Sequence, residues 1–283
     1  TCLKNFKFPE TFRSLDLMIS FIDISNEIFV SMAELLKRTK SLEEIRFLVN
    51  YSHKLSGKES WPFFEALRSH QTLRKIYLNF ERCENFFLES ILAKKIINPR
   101  SQLRELCFSI AHHEGIQSIQ PIYCIMLQTQ TLEILKLDLY GCASLMKDDL
   151  IMICQGISQN LMMKNLVMRF SGLSFSSKVF TKLTEGLKPL KYLEEVCLQF
   201  MSCTDLTEIV ILELVEELEK KSRLYSLTLD ISNNPKLTIK EKEEIWTKMN
   251  KFKCRGPILL LAHDNEINLL PFNSVKGVRN HVF

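Results

Sequence analysis

Glycine is scarce in this sequence, with eight in 283 residues, and none falls in a G-x-G-x-x-G or Walker frame. A phosphate cradle of closely approaching backbone has no candidate loop, so nucleotide binding is not expected. Proline is equally scarce, at eight, which excludes long linkers and disorder. Long apolar runs are missing as well. The longest near the C-terminus is 258–262, far short of the roughly 18 residues that read as a membrane span. The start carries neither a basic-then-apolar leader nor an initiator Met, and Thr1 is expected to be a processed terminus or, better, a cut inside a longer chain. A dominant charge sign is also lacking. With 37 Lys+Arg against 33 Asp+Glu, the net +4 is spread evenly and argues for neither nucleic acid nor a membrane as partner. The nine Cys are an odd number and fall at no CxxC or disulfide spacing. Free thiols without a leader imply a reducing compartment, so an intracellular, cytoplasmic protein is expected, with a cytoskeletal or ciliary assembly as one setting.

What the sequence does have is one phrase, apolar-x-x-apolar-x-apolar-x-apolar, in eight copies. The first, weaker copy is Phe12/Leu15/Leu17/Ile19, followed by Leu42/Ile45/Phe47/Val49, Leu73/Ile76/Leu78/Phe80 and Leu103/Leu106/Phe108/Ile110. Then come Leu132/Leu135/Leu137/Leu139, Met163/Leu166/Met168/Phe170, Leu193/Val196/Leu198/Phe200 and Leu224/Leu227/Leu229/Ile231. The starts at 12, 42, 73, 103, 132, 163, 193 and 224 are 29 to 31 residues apart. A fixed period in this range marks a repeat architecture. Counting the first apolar residue as position zero, positions three, five and seven alternate as in a strand with one buried face.

Between the phrases the period becomes helical. Phe29, Met32, Leu35 and Leu36 fall on one helix face, as do Ile91, Leu92 and Ile96, and Val179, Phe180, Leu183 and Leu187. Ile209, Leu212, Val215 and Leu218 predict a further face, with Glu213, Glu216, Glu217 and Glu219 on its wet side. Asp148-Asp149 reads as a helix N-terminal cap. Each repeat is then strand, loop, helix and return. Neither element can bury its apolar face alone, so the repeats must stack. The expected fold is α/β: a right-handed α/β solenoid, a horseshoe of about eight to nine ~30-residue repeats. It has a parallel sheet on the concave face and helices on the convex face. The expected organisation is a repeat array over 1–262, with a last irregular strand at 255–262, and an irregular cap or tail over 263–283. Thr1–Glu10 makes a poor cap, so missing chain or a partner is expected to cover the N-terminal side.

These Leu-x-x-Leu-x-Leu cores resemble the leucine-rich repeat family, in its long-repeat, ribonuclease-inhibitor-like branch. The best copy is Leu224-Tyr-Ser-Leu-Thr-Leu-Asp-Ile-Ser-Asn-Asn-Pro-Lys-Leu237, and the resemblance covers roughly residues 12–262. The same copy is similar in style to large protist repeat proteins, those of ciliates especially, in which such arrays follow kinase or other domains. The family places Asn or Cys at position eight as a loop ladder. Here that position holds Asn50, Glu81, Ala111, Tyr140, Ser171, Met201 and Ser232, of which only the first fits. Cys83, Cys142 and Cys203 stand at position ten, either as a shifted ladder or as small buried filler. The resemblance implies protein–protein binding.

No catalytic constellation, metal or cofactor is expected. His112-His113 would need loop partners such as Cys83, Tyr140 or Cys142, and no spacing supports them. Cys107 and Cys197 face the inner surface without a base beside them, although Lys136 is placed to lower the Cys107 pKa. The remaining candidate is the concave face itself, formed by positions two, four and six. Its candidate partner-binding residues are Arg46, Tyr77, Cys107 and Lys136 at position four, with Asn79, Asp138, Arg169, Gln199 and Asp230 at position six. Arginine and tyrosine are enriched at binding hot spots. The leading reading is a non-enzymatic scaffold that holds a protein partner, as a subunit of a larger complex. A second is the targeting array of a multidomain kinase or ubiquitin-ligase receptor, and the last is a GTPase-activating or inhibitor-type repeat protein. Charge reversal at Arg46 or Arg169 is expected to weaken partner binding and leave folding intact.

Overall fold

The computed structural model describes residues 9–20, 27–52, 60–83, 102–112, 129–252 and 256–262, with isolated positions 116, 119, 122, 123, 126 and 127. The expected helix face at Ile91, Leu92 and Ile96, His113, and the expected cap at 263–283 lie outside the described residues.

The chain is α/β. Nine strands form one parallel sheet in the order β1 to β9. They are β1 (Ser14–Ser20), β2 (Glu44–Asn50), β3 (Lys75–Asn79), β4 (Glu105–Ser109), β5 (Ile134–Asp138), β6 (Asn165–Arg169), β7 (Glu195–Gln199), β8 (Ser226–Asp230) and β9 (Ile258–Leu261). Six helices lie among the described residues: α1 (Glu27–Arg38), α2 (Trp61–Ser69), α3 (Lys147–Ser158), α4 (Ser177–Leu187), α5 (Glu208–Glu219) and α6 (Ile239–Met249). The register never slips from β1 to β8: Leu15 pairs with Ile45, Ile45 with Ile76, Ile76 with Leu106, and so on to Val196 with Leu227. A slip of one residue would turn an apolar row to the wrong face, so the repeated phrase fixes the pairing. The expected last strand forms as β9, beginning at Ile258 and paired with β8.

Helix signals agree with the sequence locally. In α6 the Thr238 hydroxyl accepts the Glu241 amide at 3.3 Å, and the Glu241 carboxylate accepts the Thr238 amide at 2.7 Å, forming a capping box. Helix α1 carries Glu27 in its first turn and Lys37 and Arg38 in its last, matching its dipole. Asp149 is not the cap of α3 but its third residue. One carboxylate oxygen accepts the Met146 amide and the other the Ile119 amide, each at 3.3 Å.

The sheet's apolar face and the helices share one hydrophobic cluster. Phe29, Phe47, Phe63 and Phe80 meet at centroid distances from 5.2 to 6.3 Å. A second aromatic cluster joins Phe170, Phe175, Phe180 and Phe200 at 4.7 to 5.8 Å. Helices α3 and α4 approach closely because Gly186 lacks a side chain; a Cβ there would sit 2.5 Å from the Cys154 carbonyl. The α5 face differs from expectation. Val210, Ile211, Leu214, Val215 and Leu218 are buried while Ile209 is 68% exposed, and Glu217 is buried in an ion pair with Lys221 at 2.8 Å.

Side chains of one repeat close the exposed carbonyls of the one before. At helix C-termini, His70 bonds the Thr39 carbonyl at 2.8 Å, Asn160 that of Met126 at 2.9 Å and Lys221 that of Leu187 at 2.7 Å. At the edge where each strand begins, the residue just before position zero does the same work. The hydroxyls of Ser41, Thr72 and Thr131 donate to the carbonyls of Phe12, Leu42 and Leu103 at 3.0, 2.7 and 2.8 Å.

Candidate functional site

Positions two, four and six point away from the shared core and form the open face of the sheet. The register sets the expected residues in rows. Arg46 pairs with Tyr77, Tyr77 with Cys107 and Cys107 with Lys136. Asp138 pairs with Arg169, Arg169 with Gln199 and Gln199 with Asp230, while Asn79 reaches Asp138 through Ser109.

The first row is held by charge. The Arg46 guanidinium lies 4.3 Å over the Tyr77 ring, and its Nε donates to Glu44 at 2.8 Å. Lys75 stands 4.0 Å from Glu44 and 3.8 Å from Glu105. Glu44, Lys75 and Glu105 were outside the candidate set, although the same alternation places position two on this face. Burial, then a hydrogen bond to Glu105, push the Tyr77 hydroxyl above the usual phenol range. On β1 Asp16 pairs with Arg46, while Met18, 67% exposed, pairs with Leu48 two residues further along. Lys136 and Gln199 are half-buried and make no ion pair or side-chain hydrogen bond among the described residues.

Three candidates spend their polar atoms on the fold. Asn79, Asp138 and Asp230 close each strand by accepting the amide two residues on, from Glu81 at 2.8 Å, Tyr140 at 3.1 Å and Ser232 at 3.0 Å. Asn79 and Asp138 are buried, and Asp230 is half-buried. Asp138 also binds Arg169 at 2.9 Å. Burial raises the Asp138 carboxyl above the usual range, and Arg169 draws it partly back. Reversing Arg169 would leave Asp138 buried beside a second carboxylate, so Arg169 is not the neutral probe of binding that the sequence suggested.

The turns after the strands explain why position eight holds no constant Asn or Cys. At position nine the backbone is left-handed in every described turn from β2 to β8. Its φ is 59° at Tyr51, 54° at Arg82, 57° at His112, 72° at Gly141, 78° at Gly172, 58° at Ser202 and 56° at Asn233. That conformation aims the amide at the next repeat. Arg82 donates to the Ala111 carbonyl at 3.1 Å, Gly141 to Ser171 at 3.0 Å, Gly172 to Met201 at 2.8 Å and Ser202 to Ser232 at 3.0 Å. The ladder side chain then falls at position ten. Cys83, Cys142 and Cys203 donate Sγ–H to the Val49, Ile110 and Phe170 carbonyls at 3.3, 3.1 and 3.5 Å. Asn234 donates to the Phe200 carbonyl at 2.9 Å. The shifted ladder is therefore present, and its cysteines are buried filler as well.

The thiols are poorly suited to nucleophilic work. Burial pushes Cys107 up to about 12, with Lys136 pulling it down and Glu105 opposing that pull. Cys197 rises to about 11, first through burial and then through Asp230. Both stay protonated at neutral pH, and the thiolate is the reactive form. The His112 ring packs edge-on against Tyr140 at 4.6 Å. Among the described residues no group of three His, Cys, Asp or Glu is placed to hold a metal ion, and no helix is long and apolar enough to cross a membrane. A scan of protein-family models matches none to this chain, and a search of curated proteins finds no match either.

Proposed function

We propose that this chain is a non-enzymatic protein-interaction scaffold, a right-handed solenoid of the leucine-rich repeat type curved into a horseshoe. Its partner lies along the open, concave face, and the chain serves as a subunit of a larger assembly. The sequential strand order and constant register support the architecture, because a solenoid grows by contacts between neighbours alone. The observation that carries the binding reading is the row from Arg46 through Tyr77 and Cys107 to Lys136. Chemically varied side chains, including a stacked arginine–tyrosine pair and an unpaired lysine, stand side by side on adjacent strands. Of the candidate residues, Arg46, Tyr77, Lys136, Arg169, Gln199 and Asp230 have surface to offer. Asn79, Cys107 and Asp138 support them from below.

The test is a pull-down from the native source followed by mass spectrometry, comparing the parent with an Arg46→Glu/Lys136→Glu variant. Arg46 is exposed and loses one surface ion pair, and half-buried Lys136 has none to lose, so the variant should melt within about 1 kcal/mol of the parent. Proteins captured by the parent and lost by the variant are the expected result. An identical captured set from both chains would move binding away from this face.

A further inference from the structure

The edge where the strands begin changes character along the chain. In the first half its hydroxyls close the preceding carbonyls, through Ser41, Thr72 and Thr131. In the sixth and seventh repeats the same position holds Met162 and Tyr192, whose side chains make no such bond among the described residues and stand 45% and 36% exposed. Leu161 beside them is 52% exposed, and Tyr225 in the eighth repeat is 40% exposed. These residues stand at the starts of three neighbouring strands. The Glu194 amide donates to the Lys164 carbonyl at 2.8 Å, the Tyr225 amide donates to the Glu194 carbonyl at 2.9 Å, and the Arg223 guanidinium lies 4.7 Å over the Tyr192 ring. Three neighbouring strands at about 4.8 Å spacing therefore present one apolar and aromatic strip. Lys188, Lys191 and Arg223 border it, all exposed, and none makes an ion pair within 4 Å among the described residues, although Lys188 draws on Glu185 from further away. On the same edge Arg13 pairs with Glu43 at 2.9 Å and Lys164, within the sixth repeat, with Glu133 at 2.7 Å, while Arg74 of the third repeat makes no ion pair among the described residues.

We infer that this edge of the sixth to eighth repeats is a second docking surface, one that takes an acidic peptide segment of a protein partner bearing apolar anchors. Clustered exposed Met, Tyr and Leu rimmed by charge is the composition of a binding patch rather than of a solvated edge. The unpaired cations set the sign of the partner. Glu194 within the row, and Glu195, which accepts the Tyr225 hydroxyl, set its class. A lipid surface or a nucleic acid presents phosphate continuously and would meet both carboxylates. A peptide can lay its acidic side chains over the three cations and its anchors over Met162, Tyr192 and Tyr225. The surface adjoins the open face at Glu195 but lies several strands from Arg46, so variants at the edge and at Arg46 test the two sites separately.

Selection of a phage-displayed dodecapeptide library on the full chain tests it, followed by fluorescence anisotropy with the recovered peptides. The expected peptides are acidic, with aromatic or aliphatic anchors. Their affinity should fall by about tenfold or more in Met162→Ser/Tyr192→Ser and in Lys191→Glu/Arg223→Glu, and hold in Arg46→Glu. Should a double variant melt early, Tyr192→Ala and Arg223→Ala carry the same comparison. Recovery of no acidic sequence, or loss of binding in Arg46→Glu but not in the edge variants, overturns the inference. Binding of phosphatidylserine vesicles or polyuridylate that the edge variants abolish, with no acidic peptide bound, overturns it in favour of a phosphate surface.

Discussion

Replacing Gly172 with alanine isolates the contribution of the left-handed turns. Gly172 has φ of 78°, and a Cβ built there meets nothing nearer than the Gly141 backbone at 3.8 Å, an ordinary contact. Steric crowding is thus removed from the comparison, unlike at Gly141, where the new atom would stand 3.3 Å from His112. A left-handed φ costs a residue with a Cβ about 1–2 kcal/mol. Loss of glycine freedom in the unfolded chain returns about 0.4–1 kcal/mol. The net expectation for Gly172→Ala is a destabilisation of about 1 kcal/mol. Ser202, with φ of 58° in the neighbouring turn, supplies the reverse experiment, and Ser202→Gly should stabilise by about 0.5–1 kcal/mol. Urea unfolding followed by circular dichroism reads both as shifts of midpoint at constant slope. A neutral Gly172→Ala, or a destabilised Ser202→Gly, would mean that the amide ladder to Met201 and Ser232 does not hold position nine in this conformation.

Asn234→Ala should be far more costly. Its amide donates to the Phe200 and Ile231 carbonyls at 2.9 and 2.7 Å, and its oxygen accepts the Cys203 amide at 2.7 Å, all buried. Leaving several buried groups unpaired should lower stability by ~3 kcal/mol or more, read by the same urea titration. A loss under 1 kcal/mol would mean that water replaces the side chain. His70 gives a pH dependence. Burial holds its imidazole below the usual 6.5, so the unfolded chain takes up a proton before the folded one does. Stability is therefore level above about 6.5 and falls as pH drops through it, and His70→Gln should flatten that part of the profile. An unchanged slope between pH 6.5 and 5 in the variant would assign the effect to other groups.

The strands and their pairing were legible because one phrase recurs at a nearly fixed period and each strand has a single apolar face. Alternation also placed Arg46, Tyr77 and Lys136 correctly on the open face. It misjudged Asn79 and Asp138, because period-two reasoning assigns a direction but not a height. At the last strand residue a short polar side chain reaches the turn's own amide sooner than solvent. The left-handed turns were hidden for a related reason. Tyr51, Arg82 and Ser202 carry no mark of positive φ, and the conformation is imposed by bonds to the following repeat. Helix α5 was misread because Ile209, Val210, Ile211 and Leu212 are apolar on every side, so two stripes compete, and only the docking angle of the helix chooses between them. Glu217 reads in sequence as a wet-side residue, yet it is buried against Lys221, which the carbonyl of Leu187 draws inward.

Strand order has a mechanical consequence. Successive strands are neighbours, and their backbone bonds lie across the strands, along the line from β1 to β9. Tension applied between those two ends meets the bonds head-on, one layer after another, as in opening a zipper. A chain loaded this way is expected to yield repeat by repeat at modest force, so the same ladder that fixes the register would also make the molecule extensible.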